Sequence, residues 1–321
     1  MLKKISRIIK ENRIFLIVTH KNMEADALGS QLALGRLLKK LKKKVILINA
    51  DKVPSIYHFL PGAQEVKNTI PNKKIDVCFV LDCSDLERTG RLAQKIKNYF
   101  IVNIDHHISN TRFGNVNWID SHSTSTCEMI YRLYKFLKIN LDKKSALCIY
   151  AGILSDTGSF SFMNTTPQAH KISYELLKFG IKPWYVHQQI YNNFSLKEIK
   201  FCSEILRNIK SCYRGKIVYC QTNKWRENLK GSSELTEFIL SLMRSVKSSE
   251  VAILFKYMRD KVRINLRSKG KVDVNKIASF FGGGGHTCAS AVTVKGSLRD
   301  VKNKVLSKIV KELAKWEKKK I

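Results

Sequence analysis

Residues able to hold a metal or move a proton recur at a few narrow places along the chain. The densest is Asn103-Ile104-Asp105-His106-His107, a carboxylate and two imidazoles directly after the apolar run 99–102. A hydrophobic core has no use for such a cluster, because each group would have to be paired or neutralised on burial. Three further places carry the same kinds of group: His20 with Glu24 and Asp26, then Asp82, then Asp156. Together His20, Glu24, Asp26, Asp82, His106 and Asp156 offer two imidazoles and four carboxylates. Mixed nitrogen and oxygen donors suit Mn²⁺, Mg²⁺ or Zn²⁺ rather than a thiolate centre. Four carboxylates cannot share a pocket unneutralised, since like charges disfavour one another's ionised forms. Two divalent cations roughly 3.5–4 Å apart would satisfy them and would suit displacement at phosphorus. Hydrolysis of a phosphoester is the expected chemistry.

Those groups need elements that bring them together. Residues 14–18 form a continuous β-rich run, as a parallel strand covered on both faces requires, and the run ends at Thr19-His20. A helical pattern follows (Leu28, Leu32, Leu34, Leu37, Leu38, Leu41), which leaves Glu24 and Asp26 in a strand-to-helix loop. Asp26 could equally cap that helix. Residues 45–49 and 76–81 read as further strands, the second ending at Asp82, and the Asp-His-His cluster ends a fourth. Open α/β folds place their sites at the carboxyl ends of strands. The expected class is therefore α/β, with a mainly parallel sheet flanked by helices. Arg88, in a turn closed by Gly90, is read as pairing with a carboxylate, a phosphate being the alternative. Ser125 with Glu128 fits a capping box before the helix 129–137, so 123–128 is read as structural and His122 as a surface residue. The apolar helix 146–154 ends at Asp156, where the helix dipole disfavours an acid. A positive group, such as a metal, is expected to compensate it.

Beyond a helix at 166–179, residues 185–205 read as a polar helical connector. Strand patterns then return at 217–220, 251–255 and 262–266, followed by Arg267-Ser268 and Phe281-Gly282-Gly283-Gly284-Gly285-His286. Backbone N–H groups of such a glycine run can wrap an anion, with His286 beside it, although a flexible turn looks the same. A Lys-rich amphipathic helix, 301–320, closes the chain. The expected organisation is a metal-binding domain at 1–185, a helical linker at 186–208 and a smaller α/β domain at 209–321.

The chain of 321 residues is 44% hydrophobic, ordinary globular material, with a formal charge of +32 from 58 Lys+Arg against 26 Asp+Glu. That excess favours polyanionic partners, yet a lysine-rich proteome would produce the same surface, so charge leaves nucleic-acid binding open. The eight cysteines form no Cys-x-x-Cys pair and look like buried thiols of a reducing compartment. The apolar run 14–18 is too short for a secretion signal. No run approaches the roughly 20 apolar residues of a membrane span. A cytoplasmic protein without a membrane partner is expected.

Taken in order, His20-x-x-x-Glu24-x-Asp26-Ala27-x-Gly29-Ser30, Asp82, Asp105-His106-His107, Asp156-Thr157-Gly158-Ser159-Phe160 and Gly282 to His286 resemble the motifs of the DHH phosphoesterase superfamily with its associated C-terminal domain. The resemblance covers nearly the whole chain and is closest to the bacterial branch of oligoribonucleases (nanoRNases) that also act on 3′-phosphoadenosine 5′-phosphate. It implies a catalytic domain with two manganese ions and a second domain that grips substrate across an active-site cleft. Carried over by position, His20, Glu24 and Asp82 would hold one ion, and Asp26, Asp82, His106 and Asp156 the other, with Asp82 bridging. Asp105 would orient these groups, and His107 would contact the scissile phosphate or protonate the leaving oxygen. Arg267 and His286 would bind the substrate's terminal phosphate, with Gly283, Gly284 and Gly285 close to its backbone. Short RNA and phosphoadenosine phosphate are the substrates so implied, and the oligomeric state stays open, a homodimer among the options.

Two departures mark this chain. Met23-Glu24-Ala25-Asp26 stands where the family has Pro-Asp-x-Asp, lengthening one ligand by a methylene, and Ala289-Ser290-Ala291 ends in alanine where the family has glycine. The competing readings are a linear or cyclic dinucleotide phosphodiesterase and a non-catalytic RNA-binding protein.

Overall fold

The structure, a computed structural model, describes residues 1–223 and 232–318, so the last two residues of the expected terminal helix lie outside the described residues. The chain forms two compact units, Met1–Asn193 and Phe194–Ile321.

In the first unit, α1 (Leu2–Glu11) leads to β1 (Ile14–Val18), α2 (Ala25–Lys40), β2 (Lys44–Ile48), β3 (Val77–Leu81), the short α3 (Ala93–Ile96), β4 (Ile101–Asp105) and β5 (Val116–Ile119). The helices α4 (Thr126–Phe136), α5 (Lys143–Asp156), α6 (Pro167–Leu177) and α7 (Pro183–Tyr191) complete it. The five strands make one sheet in the order β2-β1-β3-β4-β5, and every pairing is parallel. Phe15 and Ile17 of β1 pack into the core shared with α2 and α5. Leu16 and Val18 face the other way, against Cys78, Val80 and Ile96. Burial on both faces is why these strands are continuously apolar rather than alternating.

Two glycines let α2 and α5 approach closely. A β-carbon on Gly29 would collide with the Cys148 carbonyl, and one on Gly152 with Cys127 Sγ and, at 2.7 Å, with Asp26 Oδ1. Gln31 on α2 donates to the Ile17 carbonyl at 2.8 Å, and Asn49 Oδ1 accepts from the Thr19 backbone at 3.0 Å. These bonds lock the ends of β1 and β2 to the helix behind them.

The second unit runs α8 (Leu196–Leu206), β6 (Lys210–Cys212), β7 (Ile217–Thr222), α9 (Ser232–Ser245), β8 (Val251–Met258), β9 (Lys261–Ser268), α10 (Val274–Phe280), β10 (Gly284–His286), β11 (Ala289–Lys295) and α11 (Leu298–Lys318). Its sheet has the order β10-β11-β9-β8-β7-β6, and it is mixed: only β7 and β8 pair in parallel. Val262, Ile264 and Leu266 of β9 point into the core with α10 and α11, which leaves Arg263, Asn265 and Arg267 on the opposite face by the two-residue period of a strand.

The expected connector is divided. α7 buries Val186 and Ile190 in the first core, while α8 opens with a Ser195–Glu198 capping box and buries Cys202 and Ile205 in the second unit. The glycine run is also more than a loop. Gly284–His286 pairs with β11, a β-carbon on Gly283 would press on Val292 and lie 2.5 Å from the Ala291 carbonyl, and one on Gly285 would lie 2.5 Å from the Ala289 carbonyl. Close backbone approach therefore demands glycine here whatever binds nearby. Among the described residues, no helix is long and apolar enough to cross a membrane.

Candidate active site

β1, β3 and β4 are neighbours in the parallel sheet, so the residues that follow them emerge at one edge. His20 follows β1, Asp82 follows β3, and Asp105 ends β4 with His106 and His107 after it. Asp82 takes a left-handed backbone conformation, φ 56°, which aspartate tolerates better than most residues. Its amide still donates to the Ile104 carbonyl at 3.0 Å, which continues the strand pairing to the edge itself.

The imidazoles are oriented by carbonyls and carboxylates behind them. His20 Nδ1 donates to the Lys21 carbonyl at 2.7 Å, which turns Nε2 toward Glu24 Oε1 at 2.8 Å and Asp82 Oδ2 at 3.5 Å. His106 Nδ1 donates to the Ser123 carbonyl at 3.2 Å. Its Nε2 faces Asp156 Oδ2 at 3.2 Å, Asp82 Oδ1 at 3.6 Å and Asp26 Oδ2 at 3.9 Å. His107 Nδ1 donates to Asp105 Oδ1 at 2.7 Å. For His20 and His106, a neutral ring so fixed sets its Nε2 lone pair against carboxylate oxygens, an arrangement that a proton or a metal cation resolves.

Asp26 does not cap its own helix. Its two oxygens accept the Thr126 and Cys127 amides at 2.7 and 2.8 Å, the first turn of α4. Unsatisfied N–H groups and the positive end of the α4 dipole therefore hold this carboxylate in place. Thr126 Oγ1 also donates to Asp82 Oδ1 at 3.1 Å. The polar run 123–128, read from sequence as structural, thus serves the site directly. Ser125 accepts from the Glu128 amide at 3.1 Å as a cap should, but Glu128 answers to the Thr124 amide at 3.0 Å instead of closing the box. His122 is exposed, as expected.

Asn110 is a second residue the sequence did not flag. Its Nδ2 lies 2.6 Å from Asp105 Oδ2, 2.9 Å from Asn103 Oδ1 and 2.9 Å from the Cys83 carbonyl, pinning the carboxylate that orients His107. A side-chain amide three residues past an Asp-His-His cluster carries no periodicity or charge signal. Arg88 departs from expectation as well. It makes no ion pair among the described residues, and NH1 lies 3.4 Å from His107 Nε2.

Titration behaviour follows from this crowding. Burial, then the charges of Asp82 and Asp156, push the Asp26 carboxyl well above the usual range, and burial with Asp82 does the same to Asp156. Burial works against ionised Asp82, yet His20, His107 and His106 hold it well below the usual range. Burial also opposes a charged His20, but Glu24 and Asp82 outweigh it and raise its pKa to about 10.

The donor set fits divalent cations. Ligand atoms of His20, Glu24 and Asp82 lie within 4.8 Å of one another, and so do those of Asp26, His106 and Asp156. Asp156 Oδ2 is buried and accepts no hydrogen bond, with His106 Nε2 near it but out of bonding geometry. An orphaned carboxylate oxygen at the negative end of α5 is the residue type and place a cation would complete.

Arg267, the glycines and His286 belong to the second unit. Arg267 and His286 are both in register with Ala289, on either side of it across β9, β11 and β10. Arg267 is engaged already: Nε and NH2 meet Glu237 Oε2 at 2.8 and 2.6 Å.

Comparison with known proteins agrees in order and extent. The N-terminal domain of the DHH family matches residues 14–153, and the DHHA1 domain matches 223–319. The chain is 31% identical over 301 residues to the bifunctional oligoribonuclease and PAP phosphatase NrnA of Thermus thermophilus, covering 92% of this chain and 89% of that one. The Bacillus subtilis protein of the same name is 29% identical over 303 residues, covering 92% and 93%. Among solved structures, an exopolyphosphatase-related protein from Bacteroides fragilis superposes with a TM-score of 0.85 at 24% identity, covering 97% of this chain and 95% of that one. RecJ from Thermus thermophilus in complex with Mn²⁺ shares the fold at a TM-score of 0.53 and 11% identity, over 98% of this chain and 54% of its own. The chain belongs to the DHH family, with the family's N-terminal domain followed by a DHHA1 domain.

Proposed function

We propose that this protein hydrolyses phosphoester bonds in very short oligoribonucleotides, releasing mononucleotides, and converts 3′-phosphoadenosine 5′-phosphate to AMP. The reading combines the metal-ligand cluster with the activities for which the NrnA relatives are named, and those relatives align over about nine-tenths of the chain. His20, Glu24 and Asp82 would hold one divalent cation, and Asp26, Asp82, His106 and Asp156 a second, manganese being the expected ion. The observation that carries it is the position of Asp82, whose Oδ2 lies 3.5 Å from His20 Nε2 and whose Oδ1 lies 3.6 Å from His106 Nε2. One carboxylate thus reaches both halves of the cluster. Bound cations would neutralise the carboxylates, polarise phosphoryl oxygens and lower the pKa of an attacking water.

The chain's own groups supply the rest. Asp105 fixes His107 by its Nδ1, so in the imidazolium form Nε2 is the atom able to give a proton to the leaving oxygen, the ring returning to its neutral form. The first unit carries catalysis in this reading. The second grips the substrate through the row of Arg267 and His286 and the backbone of Gly283, Gly284 and Gly285, a phosphate there sharing Arg267 with Glu237. All eight cysteines are free thiols, which suits a reducing compartment such as the cytoplasm.

The test strips the protein with chelator and adds Mn²⁺ back in the presence of labelled dinucleotide, longer RNA, cyclic dinucleotide and phosphoadenosine phosphate. Metal-dependent release of mononucleotide and AMP is expected, with longer RNA slower. Asp82→Ala should lower the rate by at least about a thousandfold, as loss of a ligand shared by two ions implies. No metal-dependent release would overturn the reading.

A further inference from the structure

The proposed chemistry leaves Arg88 without a task, although the residue sits beside the reacting groups. It lies in the 3₁₀ turn Leu86–Leu92 that follows Asp82. Its amide donates to Asp85 Oδ1 at 2.9 Å, and its carbonyl accepts from the Lys21 amide at 2.8 Å, tying it to the loop that carries His20. Both bonds are main-chain, so they seat the residue without engaging its side chain. The side chain is half-buried. Its NH1 faces His107 Nε2 at 3.4 Å, and among the described residues the guanidinium makes no other hydrogen bond and no ion pair.

A guanidinium carries five N–H donors in a planar fork. One long contact to a ring nitrogen leaves that fork almost wholly unused, which is costly for a partly desolvated cation. Had the role been to neutralise the carboxylates, a direct pair with Asp82, Glu24 or Asp105 would be the natural arrangement, since all three are close enough to act on its charge. The fork points instead at the imidazole assigned to the leaving group. The non-bridging oxygens of a phosphoryl group match its geometry, which is where arginine outperforms lysine.

We infer that Arg88 is a substrate-binding residue whose guanidinium grips a non-bridging oxygen of the scissile phosphate beside His107. The inference deepens the reading of the site as a phosphoester hydrolase and rests on it. It makes the negative charge at phosphorus, rather than the base or sugar, the feature that this part of the site selects.

Two unreactive dinucleotides separate the roles: one linked by a methylenephosphonate, charged at phosphorus, and one by a methylphosphonate, neutral there. Their inhibition constants are measured against hydrolysis of the natural dinucleotide by the wild type, Arg88→Ala and Arg88→Lys, with bound manganese determined for each. Arg88→Ala should raise the constant of the charged inhibitor about tenfold or more and leave the neutral one within about twofold, at unchanged manganese content. Arg88→Lys should recover only part of the difference. Equal changes for both inhibitors, or none, would overturn the inference, and so would loss of manganese in both variants, which would make Arg88 a support for the ligand-bearing loops rather than a phosphate contact. Should Arg88→Ala fold poorly, Arg88→Gln reads the same ratio with a polar side chain of nearly the same length. A wild type that hydrolyses no dinucleotide overturns the functional reading and this assignment together, whereas an active wild type with unaltered ratios overturns this assignment alone.

Discussion

Asp105 is not among the six candidate metal ligands, yet the geometry of His107 depends on it. Its Oδ1 accepts both the His106 amide at 2.9 Å and His107 Nδ1 at 2.7 Å, while Oδ2 is held by Asn110 at 2.6 Å. His107 opposes the burial of this carboxyl and keeps it ionised, below the usual range. Removing Asn110 would free Asp105 to rotate while leaving every candidate metal ligand in place. Asn110→Ala is therefore expected to lower kcat about 10–100-fold, the usual cost of losing an outer partner of a metal site, with Mn²⁺ affinity nearly unchanged. Steady-state kinetics beside a metal titration would check it, and a matching loss of metal would refute it. The ligands were legible in the sequence because acids and imidazoles at strand ends have few ordinary uses. Asn110 and Thr126 were not, because an amide or a hydroxyl in a loop has many. Arg88 was visible but misassigned, since nothing in one sequence says whether a guanidinium will find a carboxylate.

At the scale of elements, the first turn of α4 does work that sequence reasoning gave to a cap. The signal was present, a polar run ahead of an apolar helix, but its target, Asp26, lies 100 residues away from Thr126. Such pairings appear only when α2, α4 and α5 are packed. Strand order was equally hidden, although each strand and its terminal acid could be located, because local pattern carries no pairing information. The glycine run was read as a wrapping loop, and the structure adds a second demand for glycine there, the close packing of β10 on β11. Gly152 expresses the same principle in the first unit, where its missing β-carbon makes room for Cys127 and Asp26. Gly152→Ala should destabilise the protein by about 1–3 kcal/mol, the range for overpacking a core. It should also weaken Mn²⁺ binding, because the added methyl would press on a candidate ligand. Denaturant unfolding together with a metal titration tests both parts, and normal metal affinity in a destabilised variant would show that Asp26 is not held as tightly as the two α4 amides imply.

The whole chain is two hydrophobic bodies with different electrostatic burdens. All six candidate ligands lie within residues 1–193, and the large cores of the two units share no residue. In the second unit the burden is Lys256, buried in β8 and bonded to Thr236 Oγ1. Burial, then Arg263 and Arg267, lower its pKa to about 7. The unfolded chain would bind that proton up to the ordinary lysine range of about 10.4, so between about 7 and 10 the unfolded state holds more protons than the folded one. Stability of this unit therefore rises with pH across that window, by at most about 1.4 kcal/mol per pH unit, and the full penalty is present below it. Lys256→Met should raise the melting transition of the second unit near pH 7 and flatten its pH dependence, which identifies that transition in a calorimetric scan. The first unit should then respond to metal alone. A ligand at a hundred times its Kd adds about 2.7 kcal/mol per site to the state that binds it, so Mn²⁺ should raise the transition insensitive to Lys256→Met and leave the other in place. If the Lys256-sensitive transition moved by the same amount, metal would be linked to the second unit as well, and a ligand set confined to the parallel sheet and its helices would be wrong.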